Sequence, residues 1–89
     1  MMKLVNITIP LSESEIDELG MTVNKRYLLS DVIEAHELCE LINEGTGENY
    51  MDVSFITKDV TKIEPDLKKA IAGADFDLEA KIEIEDYQE

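Results

Sequence analysis

The sequence of 89 residues contains no tryptophan, one cysteine and two prolines, and only 8 of its residues are lysine or arginine. A single cysteine excludes an intramolecular disulfide. Because 21 residues are acidic, the net charge is −13. That charge argues against DNA, RNA and anionic membranes as direct partners, since each of these requires clustered positive charge. The lack of tryptophan argues against a surface that stacks sugars or bases.

The sequence also lacks targeting and membrane signals. Residues 1–10 contain no long apolar run and no small-residue cleavage site, so they do not form a secretory signal peptide. No segment approaches the ~18 consecutive apolar residues of a membrane-spanning helix. We therefore expect a cytoplasmic protein, located in the host cytoplasm if it is phage-encoded. Its length and its 44% hydrophobic content predict one small domain over 1–89, with 86–89 as a frayed tail.

The strongest periodic pattern lies in residues 31–45, which are predicted to form an amphipathic helix. Ser30 or Asp31 can cap its start, and Gly45 can end it. One face is apolar, and the opposite face is acidic at spacings of three and four residues. No lysine or arginine occurs between Arg26 and Lys58 to offset this charge. The acidic row, predicted to be the partner-binding site, consists of Asp31, Glu34, Glu37, Glu40, Glu44 and Glu48.

The rest of the chain predicts further strands and short helices. Strict alternation of apolar and polar residues predicts strands over 2–9, 50–57 and 76–85. A capping box that starts at Ser12 predicts a short helix to Leu19, and Pro65 precedes a second short helix over 66–72. Residues 21–29 are ambiguous between a short strand and a solvated loop. The predicted fold is α+β, with a mainly antiparallel sheet of about three strands and one long and two short helices on one face.

Three groups of residues have the composition of reactive or metal-binding sites. For each of them a purely structural role is the better explanation. His36, Cys39 and Glu40 have a spacing seen in metal ligands, but no second cysteine or histidine exists to complete the site. Acidic neighbours raise rather than lower a thiol pKa, so Cys39 is a poor nucleophile. The acids over 75–86 have offsets similar to those of a calcium loop, but Ala80 stands where such a loop needs glycine. We therefore predict no catalytic residue, no metal, no cofactor and no enzymatic activity.

The acidic row suggests a binding function. Its carboxylates could occupy the lysine and arginine sites with which a nucleic-acid-binding enzyme holds phosphates. The sequence thus predicts a small acidic inhibitor, a nucleic-acid mimic of the phage or mobile-element type that acts against CRISPR, restriction or repair enzymes. Its partner would be a basic protein surface, and the chain itself would be a monomer or homodimer.

An ordinary interaction module is the alternative hypothesis. In that case the chain docks through apolar surface, or through an exposed edge strand of a homodimer, and its acidic face only keeps it in solution. The candidate patch consists of apolar residues that do not fit one buried face: Tyr27, Leu28, Leu29, Ile33 and Leu41.

Overall fold

The computed structural model describes residues 1–88. It contains four strands and three helices in the order β1 (Met2–Pro10), α1 (Glu13–Asp17), α2 (Leu19–Ala35), β2 (Cys39–Thr46), β3 (Tyr50–Thr57), α3 (Val60–Ala74) and β4 (Lys81–Tyr87). The strands form one antiparallel sheet in the order β2-β3-β1-β4. With α1 and α2 taken as one helical segment, the order is β-α-β-β-α-β, which is ferredoxin-like. The α+β prediction is confirmed, with four strands instead of about three.

One face of the sheet carries the core. In β1 and β3, alternate residues are buried, as the period of two in their sequences predicts. Ile7 pairs with Val53 and Val5 with Phe55 across the two central strands, so their side chains share one face. The helices cover this face. The core consists of Val5, Ile7, Ile9 and Leu11, Leu29 and Ile33 of α2, Met51, Val53 and Phe55, and Ile63 and Leu67 of α3.

Helix α1 begins at the predicted capping box. The Ser12 hydroxyl accepts the backbone N–H of Glu15 at 3.2 Å, and the Glu15 carboxylate accepts the N–H of Ser12 at 3.1 Å. The chain then bends at Glu18 and continues as α2. The first helix, predicted to reach Leu19, ends at Asp17, and Leu19 and Gly20 lie in the first turn of α2. The ambiguous stretch 21–29 is therefore helical.

The predicted helix over 31–45 is wrong. Helix α2 ends at Ala35, Ser30 is buried inside it instead of capping its start, and β2 begins at Cys39. Residues 39–46 pair with β3 over most of their length, with an irregularity between Leu41 and Asn43. The strand ladder, together with the packing of Cys39 and Leu41 against the core, outweighs local helix propensity here, because propensity is a weak constraint compared with tertiary pairing.

In the second half of the chain, the helix and the last strand begin and end at other residues than predicted. Helix α3 starts at Val60, with Asp59 as its N-cap, so Pro65 lies inside the helix and not in its first turn. Strand β4 begins at Lys81, five residues later than predicted, and it includes Asp86 and Tyr87 of the predicted tail. Glu89, the end of that tail, lies outside the described residues.

Candidate functional site

A cleft lies between α3 and β4 because the helices do not cover the whole sheet. Ile82 and Ile84 pair with Ile7 and Val5, so they lie on the core-bearing face. Their partners in β1 are fully buried, yet Ile82 is 38% and Ile84 49% exposed. Helix α3 packs Ile63 and Leu67 into the core and leaves this edge of the sheet open. The result is an apolar wall with no layer above it.

The cleft is largely apolar and reaches the core. Its volume is about 230 Å³. Two charged side chains of α3 also line it: the Lys68 ammonium lies 3.1 Å from the Glu64 carboxylate, and both side chains are exposed. The remaining lining residues are Val5, Phe55, Val60, Ile63, Leu67, Ile82 and Ile84. An apolar pocket with a few polar groups is the usual form of a small-molecule site.

A second groove of about 380 Å³ adjoins the cleft, since Lys68 and Ile82 line both. Its walls are the last turns of α3 and the connection 75–80 that leads into β4. This groove is more polar than the cleft, and three carboxylates line it. The other lining residues are Ile71, Ala72, Phe76, Leu78 and Ala80, and the three acids are Asp75, Asp77 and Glu79.

The connection 75–80 is fixed to the start of the chain by hydrogen bonds. Asp75 ends α3 in a left-handed conformation with φ 56°. The Asp77 N–H donates to the Glu15 carboxylate at 3.3 Å, and the Ser12 hydroxyl donates to the Asp77 carboxylate. Lys25 donates to the Asp75 carbonyl at 3.0 Å, and its ammonium lies 5.9 Å from the centre of the Phe76 ring. The outer wall of the groove is therefore held in place by α1 and α2.

A third groove, of about 370 Å³, lies between α2 and α3. His36, the C-cap of α2, lines it with Asp66, Lys69 and three small apolar residues. In contrast to the α3–β4 cleft, none of its lining residues belongs to the sheet. Cys39 and Glu40, which the sequence places near His36, do not line this groove. In residues 1–88 no cluster of three or more histidine, cysteine, aspartate or glutamate side chains could hold a metal ion.

The predicted acidic row does not exist as one surface. Its six members are Asp31, Glu34, Glu37, Glu40, Glu44 and Glu48. The first two lie in the last turns of α2, the third in the connection that follows, the next two in β2 and the last in the turn before β3. Glu40 pairs with Ile56 and Glu44 with Val53, so these two acids lie on opposite faces of the sheet. A role for any of the six in binding a partner stays a prediction.

Glu44 is partly exposed, and side chains of α2 hold its carboxylate. Its Oε2 accepts the Ser30 hydroxyl at 2.5 Å and lies 3.8 Å from Arg26 Nε. Arg26 is only 6% exposed, and its Nη1 donates to the Gly45 carbonyl and the Thr46 hydroxyl, each at 2.7 Å. This network joins α2 to β2. From the sequence, the stretch 21–29 that contains Arg26 is ambiguous between a short strand and a solvated loop.

The proposed apolar docking patch is also divided. Leu29 and Ile33 are fully buried in the core, and Leu41 packs against it. Tyr27 and Leu28 are exposed on α2. The five residues therefore do not form one surface.

Cys39 is partly buried at the start of β2. Its thiol contacts the Thr57 hydroxyl at 3.4 Å. Burial raises the pKa of this thiol, and the Thr57 hydrogen bond lowers it by less. The thiol is thus less reactive than a free cysteine. The sequence predicts the same direction from acidic neighbours, but the cause in the structure is burial.

The amino-acid sequence matches no protein-family model, and no curated protein is significantly similar to it. Solved structures with the same fold exist. A protein described as a putative antibiotic biosynthesis monooxygenase from Caulobacter crescentus CB15 is 18% identical, with a TM-score of 0.67 that covers 99% of this chain and 91% of that one. A conserved protein of Methanosarcina mazei Go1 is 15% identical, with a TM-score of 0.68 and coverage of 99% and 94%. Rv0793 of Mycobacterium tuberculosis is 13% identical, with a TM-score of 0.63 and coverage of 100% and 97%.

These similarities correct two predictions. The prediction of a phage-type inhibitor that mimics nucleic acid is wrong, because the structural neighbours point away from that class and the helical acidic row on which it depended is absent. The prediction that the chain is not an enzyme is contradicted by the neighbour described as a monooxygenase. At these identities the likeness establishes the fold alone.

In residues 1–88 no helix is long and apolar enough to span a membrane.

Proposed function

We propose that the chain binds a small, largely apolar molecule in the cleft between α3 and β4 and oxidises it with dioxygen, as a monooxygenase does. The observation that carries the proposal is the cleft itself, in which Ile82 and Ile84 remain exposed beside buried core residues. The Caulobacter protein supports the reaction class, because it has the same fold over almost the whole chain. The reaction is the proposal's second step, and binding is its first.

The apolar walls suit the binding step. Covering Ile82 and Ile84 with an apolar ring removes their surface from water, which is worth about 25 cal/mol per Å². Phe55, Ile63 and Leu67 form the inner walls of the same cleft and belong to the core. They would hold a ring in one orientation and keep water away from it. A ligand without apolar surface would gain nothing from these walls.

The electrons and atoms of the reaction can come from dioxygen and an electron-rich substrate. A monooxygenase transfers one oxygen atom to its substrate and reduces the other to water, which requires two electrons. A polycyclic phenol can supply both: 1,5-dihydroxynaphthalene and one dioxygen give juglone and one water. Lys68 lines the cleft, and its ammonium could stabilise the phenolate form of such a substrate. This assigns Lys68 a role in orienting the phenol and stabilising its phenolate once water has taken the proton.

The binding step is tested with N-phenyl-1-naphthylamine, an uncharged dye whose fluorescence rises in apolar sites. Ile84→Asp would place a carboxylate in the cleft, and dye affinity should fall by at least about tenfold, because an ion must then be desolvated against the ligand. Ile42→Asp is the matched control. Ile42 is 47% exposed and lies in β2, at the opposite edge of the sheet. Equal affinity in both variants, or no binding to the wild type, would contradict the proposed site.

The reaction step is tested with 1,5-dihydroxynaphthalene in an oxygen electrode, with juglone followed by its absorbance. We expect oxygen uptake and juglone formation above the uncatalysed rate, in a ratio of one to one. Ile84→Asp and Lys68→Met should both lower the rate, whereas Ile42→Asp should not. A wild-type rate equal to that of buffer would refute oxidation of this phenol while leaving the binding result intact.

A further inference from the structure

We infer that Glu15 is a positioning residue that sets how long a ligand this site accepts. This inference rests on the proposed function and deepens it. The cleft and the adjoining groove share Lys68 and Ile82, so the path for an elongated molecule continues from the first into the second. Leu78, which is 45% exposed, belongs to the connection 75–80 and lines the groove. A ligand longer than the cleft therefore depends on where this connection lies.

Glu15 is a buried acid, with 4% of its surface exposed. A carboxylate so buried is costly unless its oxygens are hydrogen-bonded or paired with a positive charge. Its Oε1 accepts the N–H of Ser12 at 3.1 Å and completes the capping box. Its Oε2 accepts the N–H of Asp77 at 3.3 Å and lies 3.5 Å from the Lys25 ammonium. One oxygen thus caps α1, and the other holds the connection 75–80.

Helix capping alone does not account for the contacts of Glu15. A capping box requires the carboxylate to accept only the N–H of the capping residue, and Oε1 meets that requirement. Oε2 accepts an N–H that lies 62 positions away in the sequence. If the connection 75–80 moved away, this oxygen would lose that partner at a place which water barely reaches. The buried charge therefore favours the position of the connection seen here.

Two more contacts fix the same connection. Lys25 donates to the Asp75 carbonyl at 3.0 Å, and its ammonium lies 5.9 Å from the centre of the Phe76 ring. The Ser12 hydroxyl donates to the Asp77 carboxylate. Because these contacts order the wall of the groove before a ligand arrives, binding loses little conformational entropy there.

Two ligands that share a naphthalene ring and a terminal hydroxyl separate the cleft from the groove: 1-naphthalenemethanol and 6-(1-naphthyl)-1-hexanol. The first is short enough for the cleft alone, and the tail of the second must enter the groove. Each is titrated into the ¹⁵N-labelled protein. In the wild type we expect the long ligand to bind at least about tenfold more tightly, because its tail covers further apolar surface, including Leu78.

Glu15→Gln is the variant that releases the connection. Glutamine can keep its carbonyl oxygen on the Ser12 N–H, but its amide group then faces the Asp77 N–H and the Lys25 ammonium, which are also donors. The advantage of the long ligand should fall to about twofold or less, while the short ligand, which does not reach the groove, serves as the internal reference. Amide hydrogen exchange at Asp77 should also become faster than in the wild type.

Glu13→Gln is the matched control. Glu13 is exposed and lies in the first turn of the same helix, so its substitution removes the same charge and should keep the advantage of the long ligand. If Glu15→Gln does not fold, Lys25→Met takes its place, since it removes the donor to the Asp75 carbonyl and should lower the advantage in the same direction.

The outcomes separate this inference from the proposed function. If neither ligand binds the wild type, the proposed function fails as well. If both bind but the long ligand has no advantage, or keeps its full advantage in the folded Glu15→Gln or Lys25→Met variant, only the role of Glu15 is refuted.

Discussion

Glu44→Gln tests whether Glu44, which looks like a surface charge in the sequence, stabilises the fold. The substitution keeps the size of the side chain and removes the charge opposite Arg26. Arg26 is 6% exposed, and its two hydrogen bonds, both donated by Nη1, go to uncharged oxygens of Gly45 and Thr46. Loss of the carboxylate thus leaves a buried guanidinium without a countercharge.

The size of the expected stability loss depends on how deeply Arg26 and Glu44 are buried. Breaking a fully buried ion pair costs about 3–5 kcal/mol. The Glu44 side chain is 31% exposed, so solvent already screens part of the attraction. We expect a loss of about 2 kcal/mol of unfolding free energy, including the weakened hydrogen bond from Ser30. In a domain of this size that loss corresponds to a Tm lower by roughly 8–16 °C.

The assay is urea unfolding, with Glu40→Gln as the matched control. Both variants remove one negative charge from β2, but Glu40 lies on the opposite face of the sheet and is exposed. Glu40→Gln should change stability by less than about 0.5 kcal/mol. Equal unfolding midpoints for the two variants, with unchanged slopes, would refute the internal role of Glu44.

Two further predictions concern shifted pKa values. Because burial raises the pKa of Cys39, its alkylation by iodoacetamide should reach half-maximal rate at a higher pH in the folded protein than in urea, and coincident midpoints would contradict this. The Thr61 hydroxyl lowers the pKa of Asp59, so the stability from this helix cap is complete above the unfolded-state pKa of about 3.9 and is lost as pH falls through the lower folded-state pKa. The urea midpoint of Asp59→Ala should therefore lie below that of the wild type at about pH 7 and converge with it at about pH 2, whereas a gap that persists in acid would require another cause.

The fold could be predicted from the sequence where the alternation of apolar and polar residues agrees with the burial seen in the structure. Val5, Ile7 and Ile9 alternate with polar residues, and so do Met51, Val53 and Phe55, and both runs form the central strands. The capping box at Ser12 is local in sequence and forms as predicted.

The long helix was misplaced because two periodicities compete in residues 31–45. Val32, Ala35, Leu38 and Cys39 fit a helical spacing, but Cys39 and Leu41 also alternate as a strand does. Pairing with β3 decides between them, and for Cys39 and Leu41 the partners are Thr57 and Phe55, more than ten positions away. Local pattern could not reveal it.

The candidate site escaped prediction for a different reason. The alternation over 76–85 correctly predicts that Ile82 and Ile84 lie on one face of a strand, and the apolar face of such a strand is usually buried. Their exposure depends on where α3 lies above the sheet, which no local pattern encodes. A signal existed in the same segment: the alternation from Phe76 to Ile84 begins before β4, and its first part lines the groove.

The most direct test of the account is to map where 1-naphthalenemethanol binds, from ¹⁵N and methyl ¹³C chemical shifts of the wild-type protein. The cleft predicts that the largest changes occur at Ile63, Leu67, Ile82 and Ile84 and that the groove beside His36 is unaffected. Chemical-shift changes centred on His36, or on the face of the sheet that carries Ile56, would contradict the account and place the ligand elsewhere.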